Sequence, residues 1–163
     1  METNGDFKTI SSKLRILLAD DDKDDCLLFK EALDELPVTV ELTIKSNGEL
    51  LMEHLTEKGC ILPDVLFLDL NMPLKNGFAA LGEIKRNSSL DKLPVIIFTT
   101  SDDKEMVKKV FRDAAHYFIH KPSNFSDLKD VIYRVLTLVS EETIVLPMKE
   151  HFILTGRSNL SPK

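Results

Sequence analysis

Tryptophan is absent from the chain, and tyrosine and cysteine occur only twice each. The two cysteines, Cys26 and Cys60, have no metal-type spacing. That excludes a thiolate zinc centre and a disulfide-stapled scaffold, and leaves reduced thiols in a cytoplasmic protein. Long apolar runs are missing as well. No stretch is long enough to cross a bilayer, and no basic-then-apolar leader opens the sequence. Nor is there a basic excess: 21 Lys and Arg face 27 Asp and Glu, a net charge of −6. General nucleic-acid binding would need a cationic surface that this balance does not supply.

What remains is ordinary for a globular protein, with 43% hydrophobic and 29% charged residues over 163 positions. That is enough for one domain with a proper core. Its centre is Val65-Leu66-Phe67-Leu68-Asp69-Leu70-Asn71-Met72-Pro73. An unbroken apolar run bounded by turn formers fits a strand buried on both faces of a parallel sheet. Asp69 then stands at the strand's carboxyl end, the edge at which open α/β sheets bind ligands.

The rest of the chain alternates in the same style. Residues 1–12 form a polar lead-in without periodicity. Leu14 to Ala19 is a first buried strand ending in Asp20-Asp21-Asp22. A helix follows from Lys23, with Asp22 as its cap, Asp24 and Asp25 in its first turn and Pro37 as its stop. Val38 to Ile44 alternates as a sheet-edge strand does. Asn47-Gly48 and Asn76-Gly77 open further helices, and Pro94 to Thr99 is a second fully buried strand, ending in Thr100, Ser101, Asp102 and Asp103. A helix from about Lys104 to Ala115 leads to a short strand, Tyr117 to His120, that ends at Lys121-Pro122. Asn124 or Ser126 opens a last helix with Leu128, Val131, Ile132, Val135 and Leu138 at spacings of three and four.

Strands alternating with helices imply a parallel sheet covered on both faces. Right-handed crossovers leave few topologies, and the five-stranded flavodoxin-like (βα)5 order 2-1-3-4-5 is the natural one. The domain is expected over 13–139. Residues 140–163 are a C-terminal extension with two apolar stretches, Ile144 to Pro147 and Phe152 to Leu154, whose role the sequence does not assign.

In such a sheet Asp20, Asp21, Asp69, Thr99, Thr100 and Lys121 converge at one edge. Carboxylates at about 4 Å repel by roughly 4 kcal/mol per pair at an effective dielectric of 20. A hard divalent cation relieves this, and Mg²⁺ suits oxygen ligands. Carboxylate, metal, ammonium and hydroxyl together suit phosphoryl transfer, in which positioning and charge neutralisation are most of the catalysis.

Leu-Leu-Ala-Asp-Asp-Asp at 17–22, Asp69-Leu-Asn-Met-Pro73, Thr99-Thr100 and Lys121-Pro122 stand in the right order and at the right element ends. On these motifs the chain resembles the response-regulator receiver domain of two-component signalling, over about residues 14–139. The resemblance implies that Asp69 accepts a phosphoryl group from a phosphohistidine on a partner histidine kinase or phosphotransfer protein. It implies that Asp21 binds Mg²⁺ with Asp20 assisting, and that Asp69 and the backbone carbonyl of Asn71 complete the protein ligands. Thr99 and Lys121 are then the partners of the phosphoryl oxygens, and the peptide before Pro122 is cis. The aromatic switch position holds Phe118 where the family often has tyrosine, with Tyr117 alternating to the other face. Ala114-Ala115 replace a glycine common before this strand. Asn71 and Ser101, short and neutral, face the attacking water and tune dephosphorylation, for which a lifetime of minutes or longer is expected.

The function implied is a cytoplasmic phosphorylation switch with no attached output domain and no direct DNA or membrane binding. It signals through the face of helix four, strand five and helix five, with homodimerisation left open. It is not a turnover enzyme. Two readings from other classes compete. An aspartate-nucleophile phosphohydrolase would need a second carboxylate two residues after the nucleophile, where Asn71 stands. A flavin-binding protein would need a hydroxyl- and glycine-rich phosphate loop after the first strand, where Asp20-Asp21-Asp22 would repel the phosphate.

Overall fold

The computed structural model describes residues 7–101 and 103–156. The expectations for 1–6, for Asp102 and for 157–163 lie outside the described residues. The elements are β1 (Ile10–Ala19), α1 (Lys23–Asp34), β2 (Val38–Lys45), α2 (Gly48–Thr56), β3 (Val65–Leu68), α3 (Gly77–Arg86), β4 (Val95–Thr99), α4 (Lys104–Arg112), β5 (Tyr117–His120), α5 (Phe125–Ser140) and β6 (Ile153–Leu154). All neighbouring strands run parallel, in the order β2-β1-β3-β4-β5-β6.

Local chemistry sets the helix starts. Asp22, Asn47, Asn76 and Asn124 each accept a backbone N–H three residues on. Each thereby satisfies one of the donors that a helix N-terminus leaves open. In the sheet, period-two alternation splits the apolar residues between two layers. Leu17, Ala19, Leu66, Leu68 and Ile97 pack with α2, α3 and α4. Ile16, Leu18, Phe67, Ile96 and Phe98 pack with α1 and α5. On the second side Phe29, Phe67 and Phe98 meet edge to face, with ring centroids 4.9 to 6.1 Å apart, a favourable geometry for aromatic pairs.

Three differences from the expectation are instructive. First, β1 begins at Ile10, which pairs with Val38 across a register shift. The polar spacing of Ser11 to Lys13 hides this pairing from a pattern search. Second, Ala114 occupies the left-handed region at φ 68°, the conformation for which glycine is the usual residue. Third, the sheet has six strands, not five. The extension returns through a turn at Lys149–His151 and adds β6 beside β5. The Phe118 N–H donates to the Phe152 carbonyl at 2.9 Å. The Phe152 ring, 2% exposed, lies between Phe111 and Phe118. Arg134 donates to the Thr155 carbonyl at 3.0 Å. A two-residue strand carries too little pattern to be recognised, and its pairing depends on what β5 leaves open.

Candidate functional site

Four strand ends deliver the candidate residues to one edge of the sheet. Asp20 and Asp21 follow β1, Asp69 follows β3, Thr99 ends β4 and Lys121 follows β5. The backbone locks them in place. The Asp20 N–H donates to the Lys45 carbonyl, the Asp69 N–H to Ala19 and the Lys121 N–H to Thr99, at 3.0, 2.9 and 2.8 Å. Each residue is thus held as one more rung of the ladder. Gly77 allows the close turn behind Asp69. A Cβ there would lie 2.3 Å from the Asp69 carbonyl oxygen, so a larger residue would push the acceptor strand aside.

The site is crowded and acidic. Carboxylate oxygens of Asp20, Asp21 and Asp69 lie within 4.8 Å of one another. Asp20 is 1% exposed and Asp69 is also buried, whereas Asp21 faces solvent. Three hard oxygen donors at this spacing, open to water on one side, fit a small divalent cation that keeps part of its hydration shell. Among the described residues, Lys121 brings an ammonium to them. Its Nζ donates to Asp20 at 2.7 Å and to Asp25 at 2.8 Å, and lies 3.6 Å from Asp69. It also lies over the Phe98 ring, 5.5 Å from the centroid. Burial pushes the Asp20 carboxyl up to about 6, against the pull of Lys121 and the Asp22 amide. The Lys121 ammonium is held well above its ordinary range: burial works against the charge, and its hydrogen bonds to Asp20 and Asp25 outweigh it.

The remaining candidates take distinct places. Thr99 is fully buried and its hydroxyl oxygen accepts a long contact from the Ser101 N–H at 3.4 Å. Asn71 is exposed, and its N–H reaches an Asp69 oxygen at 3.4 Å. Ser101 is half-buried. Phe118 points inward, 2% exposed, into the layer of α4, while Tyr117 packs in the opposite layer with α5. The implied cis peptide is not found: the bond before Pro122 is trans. The edge of β5 that an exposed output face would include is paired with β6. Two site contacts escaped the sequence. Asp25 looked like a helix-start acid, and the His120 ring contact to the Thr100 carbonyl at 2.8 Å had no signal at all.

Comparison with known proteins agrees with this geometry. The model of the response regulator receiver domain family matches residues 16–133. The chain is 32% identical to Response regulator Rcp1 of Synechocystis sp. over 136 residues, 81% of this chain and 92% of that protein. It is 29% identical to a probable chemotaxis protein CheY of Rhizobium etli, over 78% of this chain and 95% of that protein. Among solved structures, the Mn²⁺-bound form of Rcp1 superposes with a TM-score of 0.70 at 32% identity, covering 83% of this chain and 99% of the other. The phosphorylated cyanobacterial phytochrome response regulator RcpA gives 0.72 at 29% identity, over 84% and 100%. Fold, strand-end residues and family match converge, and the chain belongs to the response regulator receiver domain family.

Proposed function

We propose that Asp69 is the phosphoacceptor of this receiver domain. The observation that supports this most directly is the convergence of the Lys121 ammonium on Asp20, 101 residues away, and on Asp69 beside it. In the proposed reaction an Asp69 oxygen attacks the phosphorus of a phosphohistidine on a sensor kinase or phosphotransfer protein. The P–O bond forms as the P–N bond breaks, and the departing imidazole nitrogen takes up a proton. Mg²⁺ bound by Asp21, Asp69 and the Asn71 carbonyl, with Asp20 assisting, would neutralise charge on the phosphoryl oxygens. Lys121 ion-pairs with one phosphoryl oxygen, and the Thr99 hydroxyl donates to another. Thr99 then draws on the space beside Phe118, whose inward ring is the switch.

Asn71 and Ser101 offer the attacking water no base, so hydrolysis is slow and the adduct lasts minutes or longer. The protein changes its own state once per phosphoryl group rather than turning over a substrate. Its setting is the cytoplasm, and among the described residues no helix is long and apolar enough to cross a membrane. Output runs through the α4, β5 and α5 side, where β6 now supplies the outer edge. Among the described residues of the extension, Val145, Leu146, Met148 and Ile153 are exposed and apolar.

Incubation with acetyl phosphate or phosphoramidate plus Mg²⁺, read by intact mass, is expected to give a single phosphoryl adduct. Asp69→Asn is expected to abolish it. An adduct retained in that variant rejects the assignment. Release of phosphate over many turnovers would support the phosphohydrolase instead.

A further inference from the structure

We propose that Asp25 is a positioning residue of the phosphoryl site, holding the Lys121 ammonium toward α1 and off the Asp69 carboxylate. The inference rests on Asp69 being the acceptor. An ammonium has three N–H donors. Two of them are taken here, by Asp20 at 2.7 Å and by Asp25 at 2.8 Å, while Asp69 stands further away at 3.6 Å. Asp69 therefore has a cation beside it, yet its nearer oxygen to Lys121 takes no direct hydrogen bond from that ammonium. A direct hydrogen bond from Lys121 would occupy a lone pair that must attack phosphorus.

Asp25 is suited to this task by its place in the fold. It lies in the first turn of α1, and its backbone N–H donates to the Asp22 side chain at 3.0 Å. The cap fixes the turn and, with it, the direction of the Asp25 side chain. Asp25 also stands apart from the three carboxylates clustered for a cation. Asp20 has two roles, as partner of Lys121 and as a member of that cluster. With Asp20 engaged in holding a divalent cation, Asp25 is the carboxylate that still restrains Lys121. Without it the ammonium is free to close the gap to Asp69. When a phosphoryl group is present, its oxygens compete with Asp25 for the same ammonium, so Asp25 also sets how firmly the phosphorylated state is held.

The test compares the full chain with Asp25→Asn and Asp25→Glu. Phosphorylation by phosphoramidate with Mg²⁺ is followed by time-resolved intact mass, alongside the NMR signals of the Lys121 ammonium and the Asp69 side-chain carboxyl carbon. Asp25→Asn is expected to shift both signals in the unphosphorylated protein. It is also expected to slow phosphorylation by about tenfold, less than the roughly 100-fold that a misplacement of about 1 Å can cost. The adduct, once formed, is expected to outlive that of the parent chain. Asp25→Glu, which restores the carboxylate, is expected to recover most of the rate. Unchanged signals and an unchanged rate in Asp25→Asn overturn the proposal. A lower melting temperature with a normal rate per folded molecule also overturns it, because Asp25 then only pins α1. A parent chain that takes up no phosphoryl group overturns the acceptor assignment first, while the shifts of Lys121 and Asp69 still test the restraint.

Discussion

The two ends of the sheet bury titratable groups in opposite ways. At the amino end, His116 precedes β5 and is 8% exposed. Its Nδ1 accepts the Val95 N–H at 3.1 Å, and the His116 backbone N–H donates to the Val95 carbonyl at 2.8 Å. Burial, with Lys85 nearby, pushes its pKa down to about 4, so it is a neutral acceptor that completes the ladder. At the carboxyl end, burial pushes Asp20 up to about 6, and one ammonium serves three carboxylates. The same desolvation acts at both ends. One end is balanced and structural. The other carries a surplus of negative charge that protein groups leave unmatched, as expected where an external cation completes the set.

Removing part of that surplus should have the largest effect. Asp21→Asn is expected to weaken Mg²⁺ or Mn²⁺ binding in calorimetry by at least about tenfold, a loss already typical for groups one shell beyond the ligands. The metal-free variant should be no less stable than the parent, since Asp21 is exposed and only repulsion is lost. A variant that binds the ion as tightly as the parent would break the contrast between the two ends.

Phe152→Ala probes the flank between them. Phe-to-Ala changes in a core cost about 3–5 kcal/mol. Here the tail can also undock locally, so about 1–3 kcal/mol is expected in denaturant unfolding. Amide exchange at Phe118, Ile153 and Leu154 should lose protection, whereas that of β3 should not. Protection retained at Phe118 would show that its backbone bond to Phe152 does not depend on the ring.

The smallest effect concerns pH, and the two ends should differ in sign. The unfolded chain protonates His116 near 6.5 and the folded chain only near 4. The unfolded state therefore binds the extra proton in that window, and stability falls as the pH falls through it. Asp20 does the reverse: its folded pKa lies above the unfolded 3.8, so its contribution is full below that value and is lost as the pH rises through about 6. In metal-free protein, Asp20→Asn should steepen the acid loss between 6.5 and 4, and His116→Asn should flatten it. Equal slopes in the two variants would mean that neither group is buried as described.

Much of the molecule was legible in the residues themselves. The apolar runs at Val65–Leu68 and Val95–Thr99 read as two-sided strands; Asp22, Asn47 and Asn76 marked three helix starts, and Asn124 was one of two candidates, with Ser126, for the last. Strand order followed from crossover handedness. The gathering of Asp20, Asp21, Asp69 and Lys121 followed in turn, because a parallel sheet brings every strand's carboxyl end to one edge. These are local signals, written in spacing and capping chemistry that each segment carries alone.

Other features were decided only in three dimensions. Asp25 meets Lys121 across 96 residues, and nothing about a helix-start acid says which cation it will reach. β6 forms because β5 presents an unpaired edge and Phe111 and Phe118 leave room for the Phe152 ring. The trans bond before Pro122 and the contact of His120 with the Thr100 carbonyl depend on the loops around them. Periodicity and capping are set within one turn or a few strand residues, so the sequence alone determines them. Ion pairs and edge pairing depend on distances between segments far apart in the chain, and only the closed fold sets those distances.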